Sequence, residues 1–399
     1  MVDVIVVGAR CAGAATAMLL ARAGHRVLML DKDQAGTEMK HSTHFVQPIA
    51  VAQLRKWGLL PALELACPSF NTYSFDYEFL QITGSPPPVD GEDRAFCPRR
   101  PVIDGILLEG ALSAGVEYRP QTKVTGVMTS DHGVCGVETL TATGQRERLP
   151  ARLVIGADGP GSTIAAAVDA PSYCEAGVQQ VTMWGYWPIT VTPELYFKPK
   201  GGRAVYIAPT SGGDAIVGVN WTYADYLTVR HETQAAYHAI VEALAPSTAA
   251  QLSLCRPSAP LRSGSTRNFL RVPHGPGWVL VGDAGHKKDP CTAQGITDAF
   301  LDAENCAAII DAGLRGERPL EAELKVWHAA RDARLIPRHH MTIQLAQFAA
   351  PDDKEKALYA AIAANREETT RFIGLLTGST DPEAYFAPEN LAKIVATAA

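Results

Sequence analysis

The amino-acid sequence predicts an α/β protein that combines a parallel sheet, a second, antiparallel sheet and a helical C-terminal region. The first observation is the opening "VDVIVVGARCAGAATAMLLARAGHRVLMLDKD", in which two apolar β-branched runs flank a strong helix former. The second is a series of short strand-like runs between residues 181 and 221, separated by glycine-rich turns. The third is the mainly helical pattern from residue 324 onward.

Length and composition are those of an ordinary globular chain. With 399 residues and 47% hydrophobic content, the chain is long enough for two or three domains. A net charge of -6 and the lack of a dense Lys/Arg tract argue against a nucleic-acid partner and against stable membrane association. The apolar start has no cationic region before it, so we expect a cytoplasmic protein, as a monomer or homodimer. Eight scattered cysteines without metal-ligand spacing predict no metal site.

The opening segment forms a βαβ unit that predicts a Rossmann-like dinucleotide site. In the pattern G-x-G-x-x-G, the glycines make a tight turn, admit the pyrophosphate and pack the helix on the strand. Gly8 and Gly13 fill the first and third places, whereas Arg10 stands in the second. Asp31 follows the second strand, where an acid is expected to bind ribose hydroxyls. A packing turn without a nucleotide is the alternative interpretation.

Two later strand ends carry further motifs. The run "ARLVIGADGPGSTIAAAV" ends a strand in Asp158-Gly159, and "GWVLVGDAGHKKDPCTAQGITDAF" ends another in Gly282-Asp283, before a helix that begins near Gly295. Together with the glycine loop, they resemble the group A flavoprotein monooxygenases of the para-hydroxybenzoate hydroxylase type, and the actinobacterial FAD-dependent oxidoreductases that carry "GARCAG". The resemblance implies a Rossmann-like FAD-binding domain and FAD as cofactor.

The resemblance also implies how FAD would be held. Asp283 would accept a hydrogen bond from a ribityl or ribose hydroxyl, and Pro290 would stiffen the loop beside the isoalloxazine. The helix that begins at Gly295 would direct its free N–H groups toward the N1–C2=O edge and stabilise the anionic reduced flavin. The arginine that often follows the D-G motif in this family is absent here. The implied cofactor contacts are Gly8, Arg10, Cys11, Ala12, Gly13, Asp31, Lys32, Arg100, Val124, Asp158, Gly159, Gly282, Asp283, Pro290, Gly295, Ile296 and Thr297.

The residues that take part in catalysis and substrate binding are less clearly marked in the sequence than the cofactor contacts. The catalytic candidates are His44, His286 and Pro290. The candidates for substrate contact are Gln47, Trp184 and Trp187. Ordinary polar packing is the alternative for His44 and Gln47, as core packing is for the two tryptophans. Lys287 and Lys288 lie either in a solvated turn or at the flavin edge, and His339-His340 is assigned to a helix surface.

The predicted FAD-binding domain is discontinuous and comprises 1–80, 97–180 and 265–345. Residues 81–96 and 181–264 are assigned to a substrate-binding domain, and 346–399 to a helical C-terminal region. A second nucleotide fingerprint is absent, so NAD(P)H is expected as a transiently bound co-substrate.

The resemblance implies a monooxygenase that uses NAD(P)H and O2 to form a flavin C4a-hydroperoxide. This species would hydroxylate or epoxidise a small aromatic or polyketide-like substrate. The alternatives are a reductase of the geranylgeranyl reductase type, a flavin-dependent halogenase and a non-catalytic flavin-binding protein. Halogenases carry W-x-W-x-I-P, from which "WGYWPI" differs in spacing.

Overall fold

The structure is a computed structural model that describes residues 2–37 and 44–396. The strands, β1 to β20 in chain order, are Val2–Val7, Val27–Leu30, Ser69–Phe70, Thr72–Asp76, Gln81–Gly84, Ala95–Phe96, Glu117–Arg119, Thr122–Ser130, Gly133–Thr141, Arg146–Gly156, Ser172–Ala176, Gln180–Trp187, Glu194–Lys200, Arg203–Pro209, Ala215–Thr222, Arg262–Ser265, Asn268–Arg271, His274–Gly275, Trp278–Leu280 and His286–Lys287.

The helices follow the same order. They are, from α1 to α14, Cys11–Arg22, Pro48–Lys56, Leu60–Ala66, Arg100–Ser113, Thr163–Ala167, Tyr223–Val229, Thr233–Leu244, Pro246–Leu252, Gly295–Leu314, Leu320–Leu345, Asp353–Ala364, Arg366–Thr377, Pro382–Tyr385 and Pro388–Ala396. Short 3-10 helices also occur at Gly282–Ala284 and Pro290–Thr292.

The first sheet brings the three sequence motifs to one edge. Its path is β18-β19-β10-β1-β2-β7, with β8 and β9 attached beside β10. Strands β19, β10, β1, β2 and β7 all run parallel. Parallel strands end on the same side of a sheet, so the glycine loop, the D-G motif and the G-D motif emerge together. Helices α1 and α9 pack on this sheet through small apolar side chains such as Ala14 and Ala303.

The second sheet is mixed, with the order β16-β12-β15-β14-β13-β4-β5. Its pairings are antiparallel except β13 with β4, which run parallel. The predicted ranges place Thr72–Asp76 in the FAD-binding part, whereas this strand completes the second sheet through its partner Glu194–Lys200. The difference arises because the pairing joins segments more than a hundred residues apart, and local pattern carries no information on such contacts.

Helices cover both faces of the second sheet. On one face, α7 and α8 pack on Met183 and Trp187 of β12. On the other face, Trp184 and Tyr186 join an aromatic core that includes side chains of α11 and α12. Neighbouring residues of a strand point to opposite faces, which explains the division. The parallel sheet, the second sheet and the C-terminal helices confirm the predicted fold class.

Candidate functional site

A cavity of about 400 Å³ lies at the edge of the first sheet where its motif-bearing strands end. His44 and Phe45, which precede α2, also line the cavity, and Phe45 packs in the aromatic core of the second sheet. The predicted site residues that line the cavity are Gly8, Arg10, Cys11, Ala12, Asp31, Lys32, His44, Arg100, Val124, Asp158, Gly159, Asp283, Pro290, Gly295 and Ile296. Residues from four strand ends therefore share one continuous space.

The glycine loop requires glycine at both of its retained positions. Gly8 has a φ of +105°, and a Cβ there would overlap the carbonyl of Ala157. A Cβ on Gly13 would overlap the carbonyl oxygen of Gly8. The two glycines therefore allow α1 to begin directly against the end of β1, where its free N–H groups meet the cavity.

Arg10 is accommodated because its side chain extends to acids on neighbouring elements. Its backbone is extended, with φ -97° and ψ -165°, so glycine is not required at this position. The guanidinium lies 3.3 Å from Asp104 of α4 and 3.8 Å from Asp33, and it donates to the carbonyl of Thr37. These contacts draw the guanidinium to the acids while Arg10 still lines the cavity.

Asp31 connects the end of β2 to the glycine loop. One carboxylate oxygen accepts from the backbone N–H of Ala9 at 2.8 Å, and the other accepts from the N–H of Asp33 at 2.8 Å. A carboxylate has about four lone-pair sites, so these bonds leave acceptor capacity for a ligand hydroxyl. The fingerprint acid is thus held rigidly at the cavity.

Arg100 and Cys11 share one carboxylate beneath the same loop. Arg100 is 5% exposed and donates to Asp104 at 2.7 Å, and the Cys11 thiol lies 3.3 Å from the same oxygen. Burial raises the pKa of Cys11 to about 12, so the thiol stays neutral. The Nε–H of Arg100 has no hydrogen-bond partner among the described residues. Because the side chain lines the cavity, a bound anion is the natural partner for this guanidinium.

The D-G motif is held by a local turn. Asp158 accepts from the N–H groups of Thr163 and Ile164 through one oxygen, at 2.6 and 3.3 Å. Gly159 has a φ of +81°, which favours glycine at this position. Burial raises the pKa of Asp158. The motif therefore presents a backbone turn and a buried carboxyl group to the cavity.

Arg271 holds together the loops of two of the motifs. Arg271, in β17, donates to the carbonyl of Pro160 at 3.1 Å and to that of Ala284 at 2.8 Å. It therefore joins the loop of the D-G motif to the loop of the G-D motif. The sequence contained no signal for this contact, because Arg271 lies outside all three motifs.

The G-D motif brings its loop against α1. Gly282 has a φ of +58°, and a Cβ would stand 2.7 Å from the Cβ of Ala12. Its N–H donates to Asp302 of α9 at 3.1 Å. Asp283 lines the cavity and pairs with Lys287 at 2.7 Å. Gly282 therefore acts by close packing, and Asp283 faces the ligand space.

The N-terminus of α9 closes another part of the cavity. Pro290 begins a single 3-10 turn, and Asp289 caps this turn by accepting from the N–H of Cys291. A Cβ on Gly295 would meet no described heavy atom within 4 Å, so glycine leaves open space here. Ile296 lines the cavity, whereas Thr297 is buried behind it.

His44 is held at the cavity by aromatic residues of β12. Its ring stacks on Tyr186 and hydrogen-bonds the hydroxyl of that residue, while Trp184 packs on its edge at 5.9 Å between ring centroids. The Arg99 guanidinium covers the Tyr186 ring at 4.2 Å. Burial, together with the charges of Arg100 and Arg99, holds the pKa of His44 well below 6.5. His44 is therefore neutral near pH 7.

Trp184 is buried against His44 and, like the three candidates that follow, is not among the described residues that line the cavity. Trp187 is on the opposite face of β12 and donates to the hydroxyl of Tyr237 at 3.0 Å. Gln47 accepts from the hydroxyl of Tyr73 at 2.6 Å and is 1% exposed. His286 lies in β20 and faces His339, with 5.6 Å between ring centroids. None of the three is among the described residues that line the cavity.

The structure also places the two lysines and the two histidines whose positions the sequence left open or assigned to a surface. Lys287 and Lys288 are 9% and 5% exposed and both line the cavity, so neither lies in a solvated turn. His339 is fully buried and hydrogen-bonds the carbonyl of Cys174, so only His340 of that pair reaches the helix surface.

Comparison with known proteins identifies the family. Residues 1–335 match the family described as an FAD binding domain. This chain belongs to that family. The match confirms the resemblance carried by the three motifs and makes the protein an FAD-dependent oxidoreductase.

Individual relatives of the flavoprotein carry several different activities. Digeranylgeranylglycerophospholipid reductase 1 of Methanococcoides burtonii is 27% identical over 352 residues, which are 80% of this chain and 74% of the relative. The 6-methylpretetramide 4-monooxygenase of Streptomyces rimosus is 26% identical over 344 residues, covering 80% and 78%. The flavin-dependent brominase Bmp2 shares the fold, with a TM-score of 0.82 at 17% identity and coverage of 99% and 98%.

The cavity residues fit FAD. The N-terminus of α1 and the guanidinium of Arg100 suit a diphosphate, and Asp31 suits a ribose. The open space at Gly295 admits a flat ring against the start of α9. In the described ranges, no cluster of His, Cys, Asp and Glu could hold a metal ion. Over the same ranges, every helix of the flavoprotein is too short or too polar to cross a bilayer.

Proposed function

We propose that this flavoprotein is a monooxygenase that takes electrons from NAD(P)H and transfers one oxygen atom of O2 to a small aromatic or polyketide-like substrate. The balance is substrate–H + O2 + NAD(P)H + H⁺ giving substrate–OH + H2O + NAD(P)⁺ for hydroxylation. Bound FAD would supply the electron transfer and the activation of oxygen. The protein would orient the substrate, exclude water and manage protons.

The observation that carries this proposal is the aromatic wall that His44 and Phe45 give to the cavity. Behind this wall, Tyr186 and Trp184 pack on the ring of His44, and the Tyr186 hydroxyl forms a hydrogen bond with His44. Aromatic walls bind flat, polar-edged molecules well, whereas a long prenyl chain is better served by an aliphatic channel. The monooxygenase relative from Streptomyces rimosus supports the same reaction class.

His44 and Tyr186 would manage the substrate's proton. Neutral His44 lines the cavity and would receive the proton of a substrate hydroxyl through the hydroxyl of Tyr186, which is bonded to His44 Nε2. Loss of that proton makes an aromatic ring more electron-rich and therefore more reactive toward an electrophilic oxygen. Nearby Arg99 and Arg100 would stabilise the resulting negative charge.

A reductase is the second candidate, because the Methanococcoides burtonii relative covers as much of this chain as the monooxygenase does. The monooxygenase and reductase reactions differ in whether the product requires O2 and contains oxygen from it. Purified protein with FAD, NADH or NADPH and a panel of polycyclic phenols is monitored for NAD(P)H oxidation under ¹⁸O2. A product heavier by one ¹⁸O atom, absent without oxygen, is expected. Anaerobic saturation of an alkene would favour the reductase, and a product formed only with added halide would favour a halogenase.

A further inference from the structure

Lys288 is a buried cation in the wall of the cavity. Its side chain is 4% exposed, and it lies in the loop between Asp283 and the start of α9. It lines the large cavity and also a small space of about 20 Å³ behind the loop. Lysine is among the residues least often fully buried, because removing an ammonium group from water is costly.

The ammonium group is fixed by two partners on the α9 side. It donates to Gln294 Oε1 at 2.6 Å and pairs with Asp298 Oδ2 at 2.8 Å. Asp298 also pairs with Arg334 of α10 at 3.1 Å. Burial raises the pKa of Asp298, but Lys288 and Arg334 prevail and hold it below its usual value. Burial lowers the pKa of Lys288, and the ionised Asp298 opposes that shift.

Lys288 is the member of this charge cluster that lies at the large cavity. Lys288 lines the cavity, whereas Asp298, Asp302 and Arg334 are not among its described lining residues. Arg334 already contacts both aspartates, at 3.1 and 3.5 Å. Asp298 would thus have a cationic partner without Lys288, so the need to neutralise it does not by itself account for the lysine.

The position within the cavity indicates what the cation meets. With the diphosphate of FAD at the start of α1, beside Gly8 and Gly13, the isoalloxazine would occupy another part of the cavity. That part is formed by the start of α9 and the preceding loop, which contains Lys288. The free N–H groups of α9 add positive potential at the same place.

We propose that Lys288 contacts the bound isoalloxazine and stabilises the negative charge that the ring acquires on reduction. Hydride transfer from NAD(P)H adds two electrons and one proton, which leaves the reduced ring with one negative charge. A fixed ammonium group beside it favours reduction without a second proton. The inference depends on FAD occupying the cavity and holds whether the final acceptor is oxygen or an alkene.

The test is the two-electron midpoint potential of bound FAD, measured against a reference dye under anaerobic conditions. In Lys288→Gln, the amide can keep a hydrogen bond to Gln294 but has no charge. An adjacent opposite charge typically changes an equilibrium by a factor of about ten or more. The potential should therefore fall by about 30 mV, which corresponds to tenfold for a two-electron couple. Lys288→Arg should restore most of the potential.

A second lysine in the cavity wall, Lys123, provides the control for a general loss of positive charge. Lys123 lines the cavity next to Thr122, whose N–H donates to the carbonyl of Asp31, so it lies on the glycine-loop side. Lys123→Gln should leave the potential close to that of the parent. If it lowers the potential as much as Lys288→Gln does, a general loss of positive charge explains the effect and the proposal is overturned.

If Lys288 only stabilised the fold, its variants would give a different set of results. A purely structural role predicts that Lys288→Gln lowers the melting temperature of the apoprotein and the affinity for FAD but leaves the potential unchanged, and that result would overturn the proposal. If Lys288→Gln does not fold, the double variant Lys288→Gln/Asp298→Asn removes the ion pair without leaving an unpaired charge. Its potential should fall in the same way, and an unchanged value would again contradict the assignment.

Discussion

Gly295 offers a prediction in which protein stability and cofactor affinity change in opposite directions. It is the first residue of α9, and its backbone is not in the left-handed region. A Cβ would point into space that holds no described heavy atom within 4 Å. Since Gly295 lines the cavity, that space belongs to the ligand rather than to the protein core.

The expected magnitudes follow from this geometry. Gly295→Ala should stabilise the apoprotein by about 0.4–1 kcal/mol, because alanine restricts the unfolded chain and causes no clash. The same methyl group occupies space that the isoalloxazine needs, and overpacking of this kind costs about 1–3 kcal/mol. FAD affinity should therefore fall by about 5- to 150-fold. Gly295→Leu should reduce it further without unfolding the apoprotein.

Thermal unfolding of the apoprotein and fluorescence titration with FAD measure the two effects separately. Gly177→Ala is the matched control, because a Cβ there also meets no described atom within 4 Å and Gly177 is not among the described lining residues. The control should leave FAD affinity unchanged. If Gly295→Leu binds FAD as tightly as the parent, the ring does not lie against α9.

Three other substitutions test individual contacts. Asp283→Ala removes a hydrogen-bond acceptor for FAD and leaves Lys287 unpaired, so FAD titration should show a loss of about 1–3 kcal/mol, and undiminished affinity would exclude the assigned contact. Arg10→Gly restores the standard loop but removes the ion pair with Asp104 and a cation near the diphosphate. FAD titration should show that binding weakens by about 0.2–1 kcal/mol. Tighter binding would mean that the fold only tolerates the arginine. Burial holds the pKa of His286 well below 6.5 in the folded protein. As the pH decreases below 6.5, the unfolded chain therefore binds the proton first, and the free energy of unfolding decreases. Denaturant titrations of His286→Gln should show a smaller loss between about pH 7 and pH 5, and an unchanged slope would contradict this reasoning.

The features that the sequence predicted are those with local causes. Gly8 and Gly13 are required by the turn that they form, and the helix after Gln294 begins where the pattern changes from a polar loop to helical periodicity. The parallel arrangement then brings distant motifs together, because strand ends of one polarity share an edge. This general rule explains why three separate segments, which the resemblance assigned to one cofactor, line one cavity.

The features that the sequence did not predict depend on long-range contacts. Buried Lys288 pairs with Asp298, whose other cationic partner, Arg334, comes from another helix. Arg271 joins two motif loops from a strand that carries no motif. The separation of Trp184 and Trp187 was available in the sequence, since residues three apart on a strand face opposite sides.

The placement of FAD is tested most directly by a crystal structure of the complex. The diphosphate is expected at the first turn of α1, between Gly8 and Arg100, with the ribose at Asp31. The isoalloxazine is expected against Gly295, with its N1–C2=O edge toward the start of α9. A reversed cofactor, with its ring at the glycine loop, or an FAD bound outside the cavity would contradict both the assigned site and the role of Lys288.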